Sequence, residues 1–578
     1  MYIQHNKSVN KKTGKVYHSV ILCSKYREGK KVKTRSIANL SNLPEHVILS
    51  IQNALKSETE TTVSLKDIEV TNCFDYGYVQ TLMEMMQQLR IDQVLEKTLS
   101  ATDASLIKAM LIGKIVTGGS KLCIYNWLCR EKNICKMLGI DMKGLKVDHL
   151  YHSLGQLWLH QRKIEKKWFL YHKGAERRLF LYDLTSTYFE GTHNYFAAYG
   201  YNRDGKKGKM QMCVGLLTAA DGFPLRIDAF SGNTSDSGTV AGQICSLKAE
   251  LRVKDIIFVG DRGMHISHHL ENNPELVNEE IRFITGLTHQ QIQTMVARGT
   301  LQLSLFGKDL AEITVDGKRY ILSVNPDLEY KDLAYLDNRR QCCLERLEEI
   351  RRSWQKRCQQ NQENILKKQQ NGEKGKYKKL KTELTDKDIK NYTRGVEEIV
   401  KNCGMKKYFT VELIDNQSFT VNFNQDEFDK SRSLCGKYVV YTNVPAQEMT
   451  TAQVRSEYKK LQNVEHAFRD LKSDNISIRP VYHCNENQTR GHVLLCMFAY
   501  AIIKSMENKL FPFLKEYNQT AKTQLAFADL IEELKNIKMC ELTIGNKVTS
   551  AKHPKLNSVQ KKILEALNVK NSSMKMTM

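Results

Sequence analysis

A chain of 578 residues is long enough for several domains and a large buried core, and its 87 Lys and Arg against 64 Asp and Glu leave a formal charge of +23. That excess suits a polyanion, nucleic acid before an anionic membrane; residues Met1 to Lys7 lack the apolar stretch of a secretory signal, and the longest apolar run, Val493 to Ile503, is too short to span a bilayer. Fifteen cysteines form no disulfide-like or CxxC framework and several sit in apolar runs (Cys23, Cys213, Cys496), which argues against a secreted scaffold and against structural zinc and fits a reducing cytoplasm.

In chain order, Tyr17 to Ile37 alternate around Gly29, the pattern of a β-hairpin. Its Lys25, Arg27, Lys30, Lys31, Lys33 and Arg35 make a basic ribbon that either follows a phosphate backbone or is merely solvated. Leu43-Pro44 leads into a helix through about Ser57, and Ser57 to Ser64 read as a polar linker. From Tyr76 to about Lys166 the pattern is helical, with Asp103 or Ser105 and Ser120 as N-caps and Gly113, Gly118 and Gly119 as breaks.

Next comes Leu179 to Glu190, where an apolar run meets a lone carboxylate, Asp183, as in a buried strand that ends in an acid. Asp255 to Asp261 repeats the grammar, with four apolar residues, Gly260 and then Asp261. Either acid alone would read as a capping or salt-bridged group. Two strands that each deliver an Asp to one sheet edge mark a candidate site, because open α/β sheets place their chemistry beyond the carboxyl ends of the strands. Between them, Met210 to Thr218 and Phe223 to Phe230 flank the hairpin turn Ala219 to Gly222, and a helix is expected from about Ser237 to Leu251. A further helix and an apolar strand, Ile281 to Leu287, follow Asp261. Glu190, Asp204, Asp236 and Asp255 are competing acids near strand ends, and Glu190 is set aside because the first strand is expected to stop before it.

About two hundred residues then intervene before the next candidate acid, far more than a connecting loop, which implies an inserted domain. Ile313 to Val324, Tyr408 to Val421 and Lys437 to Thr442 alternate as strands. Asn338 to about Tyr392 is rich in Lys, Arg, Glu and Gln, with a turn at Gln370 to Gly375, and reads as a solvated helical hairpin or an arm that grips DNA or a partner subunit.

Val454 to Lys472 contains neither Gly nor Pro and has apolar residues at helical spacing. At about 100° per residue, Tyr458, Glu465 and Lys472 fall within roughly 20° of one line and Arg469 about 40° away, beside an apolar stripe of Leu461, Val464, Phe468 and Leu471. Beyond it, Arg479, His483, Arg490 and His492 are available for phosphates, and the apolar helix through Ile503 is expected to back the sheet. Leu525 to Leu567 read as short helices and Asn571 to Met578 as a frayed tail.

Together these elements resemble the DDE transposases of bacterial insertion sequences, in the branch with a long insertion between the second Asp and the Glu (insertion-sequence family four and relatives). The family's helix signature of Tyr, Arg, Glu and Lys reads here Tyr458, Leu461, Glu465, Lys472, with Leu461 in place of the usual Arg and Arg469 as a substitute phosphate contact. The match extends through Tyr199 to Lys206, Gly222 to Leu225, Phe230 to Asp236, Arg479 to His483 and Gly491-His492.

The resemblance implies an α/β fold with a ribonuclease-H-like mixed-sheet core interrupted by a large insertion of strands and helices. The boundaries expected are 1–70 for the basic hairpin and helix, 71–175 for a helical DNA-end-binding domain, and 176–290 for the first part of the core. They continue as 291–448 for the insertion with its charged arm 338–392, 449–510 for the second part of the core, and 511–578 for a C-terminal helical region and tail. It implies Asp183, Asp261 and Glu465 as catalytic and metal-binding residues: Asp183 bridges two Mg²⁺ ions, Asp261 holds one and Glu465 the other, with Mn²⁺ able to substitute. Tyr458, Arg469, Lys472, Arg479, His483 and Arg490 become DNA phosphate contacts. The partners implied are double-stranded DNA, as terminal inverted repeats and target, and a second copy of the chain in a dimer; no membrane is involved and the location is the bacterial cytoplasm. The activity implied is cut-and-paste transposition through hairpin ends. The alternatives are an endonuclease of the same fold without strand transfer and an inactive DNA-binding relative.

Overall fold

The computed structural model describes the chain except residues 12, 57–67, 173–177, 192, 275, 277–279, 308–309, 373–378, 380–384, 414–418, 475, 480, 522–523, 545–546, 553–554 and 571–578. The expected linker from Ser57 to Ser64, the end of the turn from Gln370 to Gly375 and the tail from Asn571 lie outside the described residues. Two units are formed, one from residues 1–85 with 506–578 and the other from 86–505.

In the first unit, β1 (Tyr2–Val9), β2 (Val16–Glu28) and β3 (Lys31–Asn39) make an antiparallel sheet in that order. The expected hairpin is β2–β3, turning at Gly29 with φ +62°, a conformation that L side chains resist. β1 is an addition. Its polar middle shows no alternation, and it is held by pairing with β2 from Tyr2 opposite Cys23 to Val9 opposite Val16. A helix, Glu45–Lys56, and β4 (Ile68–Asp75) follow.

The second unit opens with short helices. Ser120 caps Lys121–Arg130 as expected, while the cap of Ala101–Thr117 is Ser100 rather than Asp103 or Ser105. Asp103 lies inside the first turn and accepts hydrogen bonds from Ser100 (2.6 Å) and Ser153 (2.7 Å). Gly113, expected as a break, is within the helix: a Cβ there would lie 2.7 Å from Ile124 Cγ2, so the glycine permits helix contact instead of ending a helix.

The main sheet contains β5 (Leu179–Tyr188), β6 (Gln211–Ala219), β7 (Pro224–Ser231), β8 (Ile256–Gly260), β9 (Ile281–Gly286), β10 (Ala311–Val315) and β11 (Lys318–Val324). After a separate hairpin of β12 (Phe409–Leu413) and β13 (Phe419–Phe423), β14 (Lys437–Thr442) returns to it. The strand order is β10-β11-β14-β9-β8-β5-β6-β7. β5, β6 and β7 are antiparallel neighbours, β8 is parallel to β5, and β9 is parallel to β8. β6 and β8 are buried along their whole lengths, which is why they read as continuous apolar runs. Trp168 packs on Phe223 and Phe498 and donates from Nε1 to the Pro224 carbonyl (2.9 Å), and Tyr500 donates to the Gly222 carbonyl (3.3 Å). The apolar segment from Val493 to Ile503 thus packs on the β6–β7 turn.

Just before that segment, Gly491 lies against the backbone of Leu154, and a Cβ would overlap the Leu154 carbonyl oxygen. Gly491→Ala is expected to destabilise the unit by about 1–3 kcal/mol. Thermal melting checks this, and an unchanged midpoint would mean the two backbones do not meet so closely.

Two expectations change here. Ile313 to Val324 and Lys437 to Thr442 are strands, as expected, but they extend the main sheet instead of building the insertion, through β14 on β9 and β11 on β14. What stands apart is the Pro326–Asn371 helix of 46 residues, about 70 Å long, with Asp386–Asn402 against it, β12 packed on Asp386–Asn402, and Arg340 of the long helix over the Phe423 ring of β13. These pieces share their own core of Leu347, Trp354, Tyr392, Val396, Val400 and Phe428. Second, the expected helix from Val454 to Lys472 is two, Thr451–Lys459 and Leu461–Leu471, meeting at Lys460.

The chain ends in the first unit. Phe527–Lys535 and Ser558–Ala566 are helices as expected, but β15 (Lys538–Ile544) and β16 (Lys547–Lys552) lie between them, and β15 pairs with β4. Among the described residues no helix is long and apolar enough to cross a membrane.

Candidate active site

β5 and β8 are registered in parallel up to Tyr182 opposite Gly260. The next residue on each strand is an acid, so Asp183 and Asp261 are neighbours where the parallel pairing stops. β5 does not end there; it continues to Tyr188 on β6, with Asp183 opposite Leu216. That continuation anchors the backbone on both sides of Asp183. Asp261 instead leaves the sheet as the residue before a 3₁₀ turn, Arg262–Met264.

The third acid comes from the Leu461–Leu471 helix, whose Val464, Ala467, Phe468 and Leu471 are buried and whose Glu465 is exposed. Asp183, Asp261 and Glu465 line one cavity of about 240 Å³, together with Tyr458, Leu461, Asn325, Tyr438, Lys459 and Gln462. Among the described residues no group of three or more His, Cys, Asp or Glu side chains is drawn together as a ready-made ion cage. The three acids share a cavity wall without closing on one point.

Burial, reinforced by the charge of Asp261, pushes the Asp183 carboxyl up to about 7, against a hydrogen bond from the Leu184 amide (2.8 Å) and the charge of Arg203. Tyr458 donates to Asp261 at 3.5 Å. The phenol reaches it because position 286 is glycine; a Cβ there would lie 2.5 Å from the Tyr458 hydroxyl. Burial and the neighbouring Asp261 charge push that phenol up, so it stays a donor.

The competing acids are all engaged elsewhere. Glu190 pairs with Lys209 (2.8 Å), Asp236 with Arg203 (2.6 Å), and Asp255 with Arg178 and Arg282. Asp204, buried, takes both Lys472 (2.9 Å) and Arg479. Among the described residues Asp183, Asp261 and Glu465 have no ion-pair partner.

The expected phosphate contacts divide. Arg469 is exposed and Tyr458 lines the cavity. Lys472 donates to Thr185 (2.8 Å) on β5 as well as to Asp204, so it ties the Glu465 helix to the Asp183 strand. Arg490 pairs with Glu486 (2.9 Å) and lies over the Phe196 ring (4.7 Å). Burial and the nearby Lys121 and Lys114 pull the His483 imidazole down to about 3, which leaves it neutral. Lys472, Arg479 and Arg490 therefore act first on protein groups. The cavity residues missed in the sequence are Asn325, Tyr438, Lys459 and Gln462; only Asn325 carries a signal, as the N-cap before Pro326, and that signal is structural.

Residues 174–502 match a family model described as a transposase DDE domain, and residues 6–64 match the N-terminal domain of the IS1634 family transposase. No curated protein matches the chain.

Proposed function

We propose that this chain, which belongs to the DDE transposases of insertion sequences, uses Asp183, Asp261 and Glu465 to cut a mobile element at its ends and join it to target DNA. The N-terminal match names the IS1634 family and neither match specifies family four, so the narrower branch rests on the long insertion, the helix signature and the accompanying sequence motifs. One observation carries the assignment of the acids: among the described residues these three have no ion-pair partner, while the competing acids Glu190, Asp204, Asp236 and Asp255 each have one.

The order β7-β6-β5-β8-β9, antiparallel then parallel, supports a ribonuclease-H-like core, with β14, β11 and β10 extending its far side. The donor set fits hard divalent cations. It offers carboxylate oxygens only, and burial and the charge of Asp261 disfavour the Asp183 carboxylate in a way that a cation relieves. Asp183 would hold both of two Mg²⁺ or Mn²⁺ ions, Asp261 one and Glu465 the other. Bound there, such ions supply an activated water and stabilise the leaving oxygen of a phosphodiester.

The chain's own groups position the acids. Tyr458 restrains the Asp261 carboxylate, and Lys472 holds the Glu465 helix to Thr185, two residues beyond Asp183. Leu461, on the cavity wall where relatives carry Arg, brings no charge, and Lys459 is the cation beside it. Strand cleavage that frees a 3′-OH, attack of that hydroxyl on the opposite strand to form a hairpin, and joining to target in a dimer complete the cut-and-paste reading. A base flipped out of the duplex at such a hairpin would need an aromatic stacking partner, and Trp354 of the long helix is not one, since it is buried against Tyr392 at a ring separation of 4.3 Å.

Incubation of pre-cut end DNA with a target plasmid and Mg²⁺ is expected to yield joined product. Cleavage of uncut end DNA in a parallel reaction, with no joined product from the pre-cut DNA, would make the chain an endonuclease of the same fold.

A further inference from the structure

Lys114 and Lys121 are each 3% exposed, the first in the Ala101–Thr117 helix and the second opening Lys121–Arg130. Among the described residues neither has a carboxylate partner. Lys114 donates to the Gly118 and Gly119 carbonyls (3.4 and 3.1 Å), and Lys121 Nζ meets His492 Nδ1 at 2.7 Å. An ammonium taken out of water without a counter-ion is costly, and two together cost more. The Lys121 ammonium is accordingly pulled down to about 7, by burial first and by Lys114 second.

These cations are not sealed in. With Arg479, Tyr482, His483 and His492 they line a cavity of about 430 Å³, and Asp474, the acid among its lining residues, is exposed and forms no ion pair among the described residues. Buried positive charge that faces open space and finds no anion in the protein is matched by an anion from outside. We propose that this cavity binds a phosphate group of the DNA backbone.

Its position favours a backbone phosphate over a free one. Arg479 on its wall pairs with Asp204, Asp204 holds Lys472, and Lys472 reaches Thr185 beside Asp183. A strand that crosses the acid cavity can continue along this line of contacts. The identity of the ligand as DNA rests on the functional reading above; the presence of an anion site does not.

The test uses the full chain, with Lys114→Met and Lys121→Met, which keep an unbranched side chain and remove the charge. Affinity for a labelled terminal-repeat duplex, followed by fluorescence anisotropy across salt concentrations, is expected to fall at least about fivefold in each variant. The plot of log affinity against log salt should be shallower by about 0.9, one phosphate's worth. The thermal midpoint without DNA should hold or rise, because an uncompensated buried charge has gone.

Wild-type slope and affinity in both variants would overturn the proposal. If inorganic phosphate raises the wild-type midpoint but not that of Lys121→Met while the DNA slope stays unchanged, the site takes free anions and its assignment to DNA is wrong. The two readings fail separately: an Asp183→Asn protein that still cleaves removes the catalytic assignment alone, and an unchanged slope beside an inactive Asp183→Asn removes this site alone.

Discussion

Asp183→Asn is expected to lower cleavage of terminal-repeat DNA by on the order of a thousandfold or more, with duplex affinity nearly unchanged. The magnitude follows from charge. Metal-assisted phosphodiester chemistry draws several kcal/mol from its ions, and each 1.36 kcal/mol is tenfold in rate, so losing the carboxylate that would hold both ions removes about three decades. Asparagine keeps the shape and can still accept from the Leu184 amide. It also removes an acid that burial and Asp261 already push up to about 7, so the folded state should not weaken. Glu190→Gln is the control: this acid is spent on Lys209, and cleavage should stay within about twofold of wild type. Radiolabelled strand cleavage in Mg²⁺ reads both, and a cleaving Asp183→Asn would falsify the catalytic assignment.

The second large effect is on stability, from an acid outside the cavity. Asp204→Ala is expected to cost about 3 kcal/mol, because it leaves Lys472 and Arg479 without the buried carboxylate that they share. Arg479 is 32% exposed and water takes up part of its loss, which keeps the figure at the low end for a broken buried pair. Cleavage should fall as well, since Lys472, which ties the Glu465 helix to Thr185 on β5, loses the carboxylate that also holds its ammonium. Thermal melting of the full chain should drop by several degrees, and Asp204→Asn, which can still accept hydrogen bonds, should lose less. An Asp204→Ala protein that melts with wild type would show that the two cations find other partners and that the dock is not held here.

The acid pair was legible because an apolar run broken by one carboxylate is a strong local signal, and β5 and β8 carry it in Leu179 to Asp183 and Ile256 to Asp261. The insertion was legible as length. Its membership was not: β10 and β11 look like strands of the insertion until their partner β14, far downstream, is seen beside β9. The break at Lys460 has no Gly or Pro to announce it, and the capping box of Thr450 and Gln453 marks only the start of the first helix. Lys114 and Lys121 look like ordinary surface lysines on helices, and nothing in their spacing foretells burial against the segment from Ile478 to His492.

From the sequence alone come most strands of the main sheet, most of the helices, the family and three candidate acids, since each of these is written in local pattern or in an ordered set of motifs. The tertiary structure alone decided which acids stay uncompensated. Whether Glu190 or Asp183 faces a cavity with its charge unspent depends on Lys209 and Arg203, and on the register of Tyr182 against Gly260. Ion pairs and strand register join residues that are distant along the chain, and they exist only once packing has brought those residues together.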